Sequence, residues 1–600
     1  MKPTQQQIEI LDAIREFENI KINAFAGTGK TTTLKLISDS FPKIKILYLA
    51  FNTGIKNEAI SIFPQNTTIK TTHGLAYAAI KKHSHIDLSK LINYRAIDIS
   101  KRFRINYSKA IAALKIFENF CNNTARSIKD EDIEHKTAKD MFDQMSENKL
   151  TPSHSFYLKY FYLLISEDNI PQTKYDIIML DEAQDTNGVT LGIFKYLKAK
   201  TRIYVGDKHQ QIYSFRGSQN SLDKIDVDKE LYLSYSFRFN GYIASYANIL
   251  LKNFKNEKIK IDTITQPNKD IETNAYISRT NSSLISIIAN RIKDRKPFVT
   301  IRDPNEIFNL TIDLYYCLNN ERDLIKRNKF LKEFIDEDEI ANYASEVDDF
   351  ELKTALKIIK EHKDKIFEFK EIADKFYLAW QNRARNGFEQ RIKEILFLTT
   401  AHTSKGLEWD KITISDDYND FADLIVDAQC NSLKEFQINQ KDIYFANQEL
   451  IDEFNLFYVA ITRAKKEIIK DSSNFHYLMS DDIEKLINQR IEEAKEDIEQ
   501  LELVKSTKRK KATKIQQDDK QLLRQNRNQK EGRAKNSGLK WSLEDKIKVK
   551  SMFKNNIDIE EIANTLERTT GAILGELVKS EVITSAEQIK LTQEIKNRKN

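Results

Sequence analysis

Short apolar runs with polar ends recur along the chain. Ile20–Ala26, Ile44–Phe51, Tyr175–Leu180 and Arg202–Val205 are rich in Ile, Leu, Val and Tyr and read as buried strands. Ala275–Ser278, Ile395–Thr400 and Lys411–Ser415 repeat the pattern further on and predict a second sheet. Thr31–Ser38 continues the first run as a helix, and residues 80–173 and 283–390 read as mostly helical. Strands alternating with helices, with polar residues gathered at strand C-termini, predict an α/β chain with doubly wound parallel sheets. From Ile483 to Leu501, apolar residues at 487, 491, 494, 498 and 501 follow a 4,3 spacing, predicting a helix packed on its own domain. Trp541–Ile583 reads as a small helical module, and no repeat of 20 to 50 residues is present.

At 600 residues the chain is too long for one core, and about four domains are expected. With 40% apolar and 31% charged residues it is neither collagen-like nor wholly disordered. No run approaches the roughly 18 apolar residues that span a bilayer. The start, MKPTQQQIEILDAI, has no apolar h-region, so no membrane partner and a cytoplasmic location are expected. Cys121, Cys317 and Cys430 form no CxxC pair and are read as reduced. The net charge of +6 is unevenly placed. Lys505–Lys540 holds 13 basic and 3 acidic residues, a net of +10, which leaves −4 for the rest. This segment is either a polyanion-binding tail or a solvated linker.

The sharpest chemical signal is Ala24-Phe-Ala26-Gly27-Thr28-Gly29-Lys30-Thr31-Thr32, between a strand and a helix. That is the context of a phosphate-binding loop, with Ala24 where the first glycine usually stands. Backbone N–H groups would face the phosphates, Lys30 would reach the β and γ phosphates, and Thr31 would bind Mg²⁺. Asp181-Glu182-Ala-Gln-Asp185 follows the strand Tyr175–Leu180. There Asp181 would hold the metal and Glu182 would polarise the attacking water. ATP and Mg²⁺ are the expected cofactors.

Together with Val205-Gly-Asp-Lys-His-Gln210-Gln-Ile-Tyr213-Ser-Phe215-Arg216-Gly217, these motifs resemble the superfamily 1 helicases of the UvrD/PcrA/Rep type. Further resemblances follow in order: Pro3–Gln7 to the Q motif, Ala50-Phe51-Asn52 to motif Ia, and Thr71-Thr72-His73-Gly74 to motif Ib. Ser234–Arg238 resembles motif IV, Thr399–Trp409 motif V and Tyr458–Ala464 motif VI. The stretches AFNTGIKNEAISIFP and KTTHGLAYAAI are most similar to the F-box DNA helicase branch and its bacterial and phage relatives, although no F-box is evident.

The resemblance implies two RecA-like domains, 1–80 with 174–228 and 229–282 with 391–480. Helical insertions would fill 81–173 and 283–390, the second being small. Residues 481–540 would be a helix and basic linker, and 541–584 a helix-turn-helix-like module. It also implies roles: Gln7, with Gln5 and Gln6 as neighbouring registers, reads adenine; Phe237 stacks on the base; Gln210 senses the γ-phosphate. Arg238 and Arg463 would be arginine fingers, and Glu408 would contact the ribose. Phe51, Tyr213 and Phe215 would stack bases, with Asn52, Thr72, His73, Arg216, Thr400 and His402 beside them on the strand path. Movement would be 3′-to-5′ on single-stranded DNA and on junctions carrying it, in recombination or repair.

Two further readings stand beside this one. A DNA-sensing ATPase switch could control a partner effector through the C-terminal module. A scaffold with a degenerate ATP site conflicts with the intact Lys30, Asp181, Glu182, Gln210, Arg238 and Arg463. Within the module, Ser542 would cap the first helix, the last helix would start near Thr569 or Thr570, and Trp541 and Phe553 would be core. DNA docking and protein docking both suit such a unit.

Overall fold

The computed structural model describes residues 2–212, 222, 225–263, 272–334, 336–346, 349–385, 394–493, 536, 541, 543–580 and 582–599. Six strands form the first sheet: β1 Asn19–Ala24, β2 Ile46–Ala50, β3 Thr67–Thr71, β4 Tyr175–Leu180, β5 Ala199–Gly206 and β6 Lys229–Leu233. Their order is β3-β2-β4-β5-β1-β6, and every pairing is parallel. All six strands therefore end on one side. β1 lies between β5 and β6, with Ile22 beside both Val205 and Leu231, and it is buried from Ile20 onward.

A two-residue pairing, β7 Tyr235–Ser236 with β8 Asp262–Thr263, leads into the second lobe. There β9 Asn274–Ser278, β10 Phe298–Thr300, β11 Leu396–Thr400, β12 Trp409–Ile414 and β13 Ala464–Lys470 form a parallel sheet. Its order is β10-β11-β9-β12-β13. Its core is aromatic: Phe254 stacks on Phe454 at 5.2 Å, and Phe421 and Phe436 close around them. Ile487 and Ile491, on the helix at 483–493, are buried in the same core, whereas positions 494, 498 and 501 lie outside the described residues.

Between β3 and β4 the chain is helical: Thr72–His83, Ala96–Phe103, Tyr107–Asn122, Ile133–Ser146 and His154–Ser166. The region expected as a helical insertion from 283 differs at its start. Phe298–Thr300 pairs with β11, and Asn281–Lys293 packs its Leu284, Ile285 and Ile288 against Phe298 and Leu398. A three-residue strand is too short to show a period, so it read as part of the helical run. Helices Pro304–Leu318, Phe350–His362 and Lys365–Arg385 follow.

The C-terminal unit is also larger than its expected end at 584. Helices Leu543–Lys554, Ile559–Thr565 and Thr570–Lys579 are joined by a fourth, Ser585–Lys599, whose Ile595 enters their common core. Trp541 and Phe553 pack against that core, and the Arg568 guanidinium lies 4.2 Å from the Trp541 ring centre. Thr569 caps Thr570–Lys579 as expected, while Ser542 and nearly all of the basic segment lie outside the described residues. All three cysteines are free and buried. Among the described residues, no helix is long and apolar enough to cross a membrane.

In the first insertion Lys159 is fully buried. Its ammonium donates to the carbonyls of Asn123 and Ala125 and lies 4.2 Å from the Phe120 ring centre. Burial pulls its pKa down to about 8. Between about pH 8 and 10 the unfolded chain then holds a proton that the native chain has released, so native stability rises with pH from this residue. Relative to Lys159→Met, the unsubstituted protein should gain stability over that window, as read by urea unfolding at both ends.

Candidate functional site

β1 ends at Ala24, and the turn Phe25–Gly29 delivers the chain to helix Lys30–Ser40. Gly27 and Gly29 have φ of +72° and +78°, the left-handed region where a Cβ is strained. Gly27 is also a close approach. A Cβ there would stand 2.5 Å from Arg238 Cβ and 2.6 Å from Ser236 Oγ. The Gly27 carbonyl accepts from Phe237 N at 2.8 Å, and the Phe237 ring lies beside Gly29. The turn is thus clasped by the segment that follows β6. Thr28 is buried and its hydroxyl donates to the Phe25 carbonyl at 2.8 Å. Ala26 N donates to Tyr458 Oη at 3.2 Å. Thr31 is half-buried and Thr32 exposed on the helix's first turn.

The three glutamines of the first helix divide sharply. Gln7 is buried, with Oε1 accepting from Thr4 N at 3.0 Å and Nε2 donating to Thr33 Oγ1 at 3.0 Å. Gln6 exchanges two bonds with Ser234, and Gln5 donates to Glu9 on the surface. Gln7 is therefore the one tied to the phosphate-loop helix.

The acids at the end of β4 carry the strongest electrostatics. Lys30 Nζ lies 2.8 Å from Glu182 Oε1. Burial works against the Lys30 charge, but Glu182, Asp181 and Asp207 outweigh it and the pKa is raised. Burial pushes Glu182 up, yet Lys30 and Lys405 dominate and hold it below its usual range. Burial and the Glu182 charge push Asp181 up, although Tyr48 Oη donates to its Oδ2 at 2.7 Å. Glu182 itself stands at φ +49°. Asp181 is a carboxylate short of positive compensation. With the Thr31 hydroxyl it offers the hard oxygen donors that Mg²⁺ takes alongside phosphate and water.

The second lobe closes the site. Arg463 is fully buried and donates to the carbonyls of Val459 and Leu407. Its Nη2 also donates to Gln210 Oε1 at 3.3 Å. Gln210 Nε2 donates in turn to Asp207 Oδ2 at 2.7 Å. Burial and nearby Arg238 pull Arg463 down to about 9. Arg238 Nε donates to Glu408 Oε2 at 2.7 Å, and Lys465 holds the other carboxylate oxygen at 3.2 Å. Lys405 bonds Asp185 Oδ2 and donates to the Gln210 carbonyl at 2.6 Å. Burial pushes Asp185 up to about 6 despite that partner.

A hollow of about 350 Å³ gathers part of the expected strand path. Ala50, Phe51, Thr72, His73, Asp181, Asp185 and Asn187 line it, so the motif Ia and Ib residues open onto the back of the acidic cluster. Phe51 is 42% exposed, suited to stacking, whereas Asn52 caps the next helix by accepting from Ile55 N. His73 sets its ring edge against Tyr157, and burial and His154 lower its pKa. On the second lobe, buried Thr400 caps the short helix Ala401–Ser404, which carries half-buried His402. Tyr213, Phe215 and Arg216 lie outside the described residues.

Several residues of this site had no role assigned from sequence. Asp185, Asp207, Lys405 and Tyr458 stand inside recognisable motifs, and their buried, charged or hydroxyl character next to the named residues was the available signal. Gln184 bonds Glu182 at 2.5 Å and accepts from Asp207 N at 3.1 Å. Tyr48 carried no signal, because a tyrosine inside an apolar strand looks like core.

Family comparisons agree with this geometry. The UvrD/REP helicase N-terminal domain model matches residues 168–225, and the UvrD-like helicase C-terminal domain model matches 317–474. The chain is 27% identical to F-box DNA helicase 1 of Gallus gallus over 533 residues, covering 80% of this chain and 50% of that protein. It is 26% identical to F-box DNA helicase protein 1 of Schizosaccharomyces pombe, covering 78% and 57%. A probable DNA helicase II homolog of Mycoplasma genitalium is 23% identical, covering 74% and 81%. The chain thus spans about half the length of the two F-box relatives.

Gly27→Ala should weaken ATP binding by at least about tenfold, since its Cβ forces Arg238 and Ser236 off the turn. Titration with a fluorescent ATP analogue reads the loss, and circular dichroism should stay unchanged.

Proposed function

We propose that this member of the UvrD-like helicases is an ATP-driven translocase on single-stranded DNA, moving 3′-to-5′ and separating strands or displacing bound proteins in recombination or repair. The observation that carries the reading is the pairing across the cleft. Lys30 and Glu182 stand on the first lobe, and Arg463 reaches Gln210 from the second. A triphosphate entering at the Gly27–Thr31 turn would exchange the Lys30–Glu182 pair for its own charge. Mg²⁺ would be held by Thr31 and Asp181 and would supply charge neutralisation of the phosphates. Glu182 would then orient the attacking water, and Arg238 and Arg463 would stabilise the spreading negative charge. Hydrolysis coupled to lobe closure would advance the DNA held by Phe51 and its neighbours. The 3′-to-5′ sense is inferred from the GDKHQQIYSFRG form of the third motif.

The C-terminal module supports a second reading, a DNA-sensing ATPase switch acting on a partner protein. Residues 541–599 balance ten basic against ten acidic side chains, and helix Thr570–Lys579 has no arginine and exposes only Gly571 and Lys579 fully. That is a poor surface for phosphates and a fair one for protein.

ATP hydrolysis with and without single-stranded DNA, beside Lys30→Ala and Arg463→Ala, tests the motor. DNA stimulation should be at least about tenfold, and each substitution should remove at least about 100-fold of the stimulated rate. Hydrolysis indifferent to DNA, or untouched by Arg463→Ala, would falsify the reading. Displacement from 3′- and 5′-tailed duplexes reads polarity, and stimulated hydrolysis with no displacement on either would move the weight to the switch.

A further inference from the structure

The turn that carries Gln210 is gripped by a cluster outside the nucleotide chemistry described above. Lys208–Gln210 is one 3₁₀ turn after β5, so its backbone belongs to the first sheet. Its side chains belong elsewhere. Lys208 Nζ stands 2.8 Å and His209 Nε2 2.9 Å from Glu257 Oε2. The other carboxylate oxygen, Oε1, accepts from Lys258 N at 2.9 Å and Ile259 N at 3.1 Å. Glu257 follows helix Gly241–Lys255, whose Leu250, Leu251 and Phe254 lie in the second lobe's core.

This grip is unlike a surface ion pair. The side chains of His209 and Glu257 are 3% and 6% exposed. A carboxylate only accepts, so the His209 proton sits on Nε2. Among the described residues Nδ1 has no hydrogen-bond partner, and burial lowers the pKa of the ring, which favours its neutral form. The same ring lies against Phe25 of the phosphate turn, centroids 5.8 Å apart and planes within 11°. Its edge meets Tyr458 at 6.0 Å. The second lobe holds the turn twice more, through Asn455 Nδ2 on the Gln211 carbonyl at 2.8 Å and Lys405 on the Gln210 carbonyl.

We propose that Glu257 is a positioning residue. By gripping Lys208 and His209, it makes the 208–211 turn travel with the second lobe rather than with the sheet it extends. Ion pairs and hydrogen bonds to a buried carboxylate move as a unit, because breaking them strands its charge in the interior. Lobe motion is then delivered to Gln210, whose side chain bridges Asp207 and Arg463. The proposal rests on the ATP-driven reading above and names the element that would link its two halves.

The test uses the full chain with Glu257→Gln, His209→Phe and both together. Glu257→Gln keeps the size and the backbone bonds, and His209→Phe keeps the ring against Phe25. Steady-state hydrolysis is followed against ATP with and without oligo(dT), and amide exchange is followed across 207–212. Each single change should lower the DNA-stimulated kcat about tenfold, leave KM for ATP within about twofold, and speed exchange across the turn. The double change should cost no more than the worse single one, as expected of residues acting as a unit. Exchanging the charges with Lys208→Glu and Glu257→Lys should recover part of the stimulated rate. A rise in KM at constant kcat, losses that add, or unchanged exchange in Glu257→Gln overturns the proposal. If the unsubstituted protein ignores DNA, the motor reading fails instead, and exchange across 207–212 still decides whether Glu257 holds the turn.

Discussion

Burying charge in the cleft between the two sheets is the constraint on which the rest of this molecule depends. Asp181, Asp185, Asp207 and Arg463 are nearly or wholly out of water, and the side chains of Lys30 and Lys405 are only 15% and 11% exposed. An unpaired charge there would cost several kcal/mol. Three of these groups find partners in distant parts of the chain: Lys30 with Glu182, Lys405 with Asp185, Arg463 with Gln210. Two of those three pairings cross from one lobe to the other. The lobes are thus held together by the very groups that a nucleotide and its cation would compete for.

The parallel topology is what makes this concentration possible. When every strand of a sheet runs the same way, every loop after a strand opens on the same side. The phosphate turn after β1, the acids after β4 and the Gln210 turn after β5 become neighbours because those strands adjoin in the order β4-β5-β1. In the second sheet Thr400 closes β11 at the C-terminal edge, whereas Arg463 stands just ahead of β13, at the opposite, N-terminal edge. Where the loops must turn sharply, Gly27 and Gly29 take positive φ freely, and Glu182 takes it under strain.

Two aromatic hydroxyls finish the arrangement. Tyr48, inside β2, donates to Asp181 from below. Tyr458, from the helix Gln448–Ile461, meets both Ala26 N and Asp207 Oδ2, the latter at 3.3 Å. Burial and the adjacent carboxylates drive both phenols well above their ordinary range, so they serve as fixed hydrogen-bond donors. Tyr48 ties the sheet interior to Asp181, and Tyr458 ties the second lobe to the turn after β1, without adding charge.

The amino-acid sequence by itself determined the alternation of apolar strand and helix, the glycine turn before Lys30, the acids after Tyr175–Leu180 and the order of the motifs. Those features are local, since a strand's apolar run, a glycine's freedom or a lysine beside it can be read within ten residues. It left β10 hidden inside a helical region and the helix Ser585–Lys599 outside its module. Three residues carry no period, and a polar helix shows its core face only through what it packs against. Tertiary structure alone decided which glutamine joins the phosphate-loop helix, that Lys405 meets Asp185, and that Glu257 grips Lys208 and His209. These are pairings between residues 26 to 220 positions apart. Their partners are chosen by strand order and lobe contact, and no spacing along the chain encodes that choice.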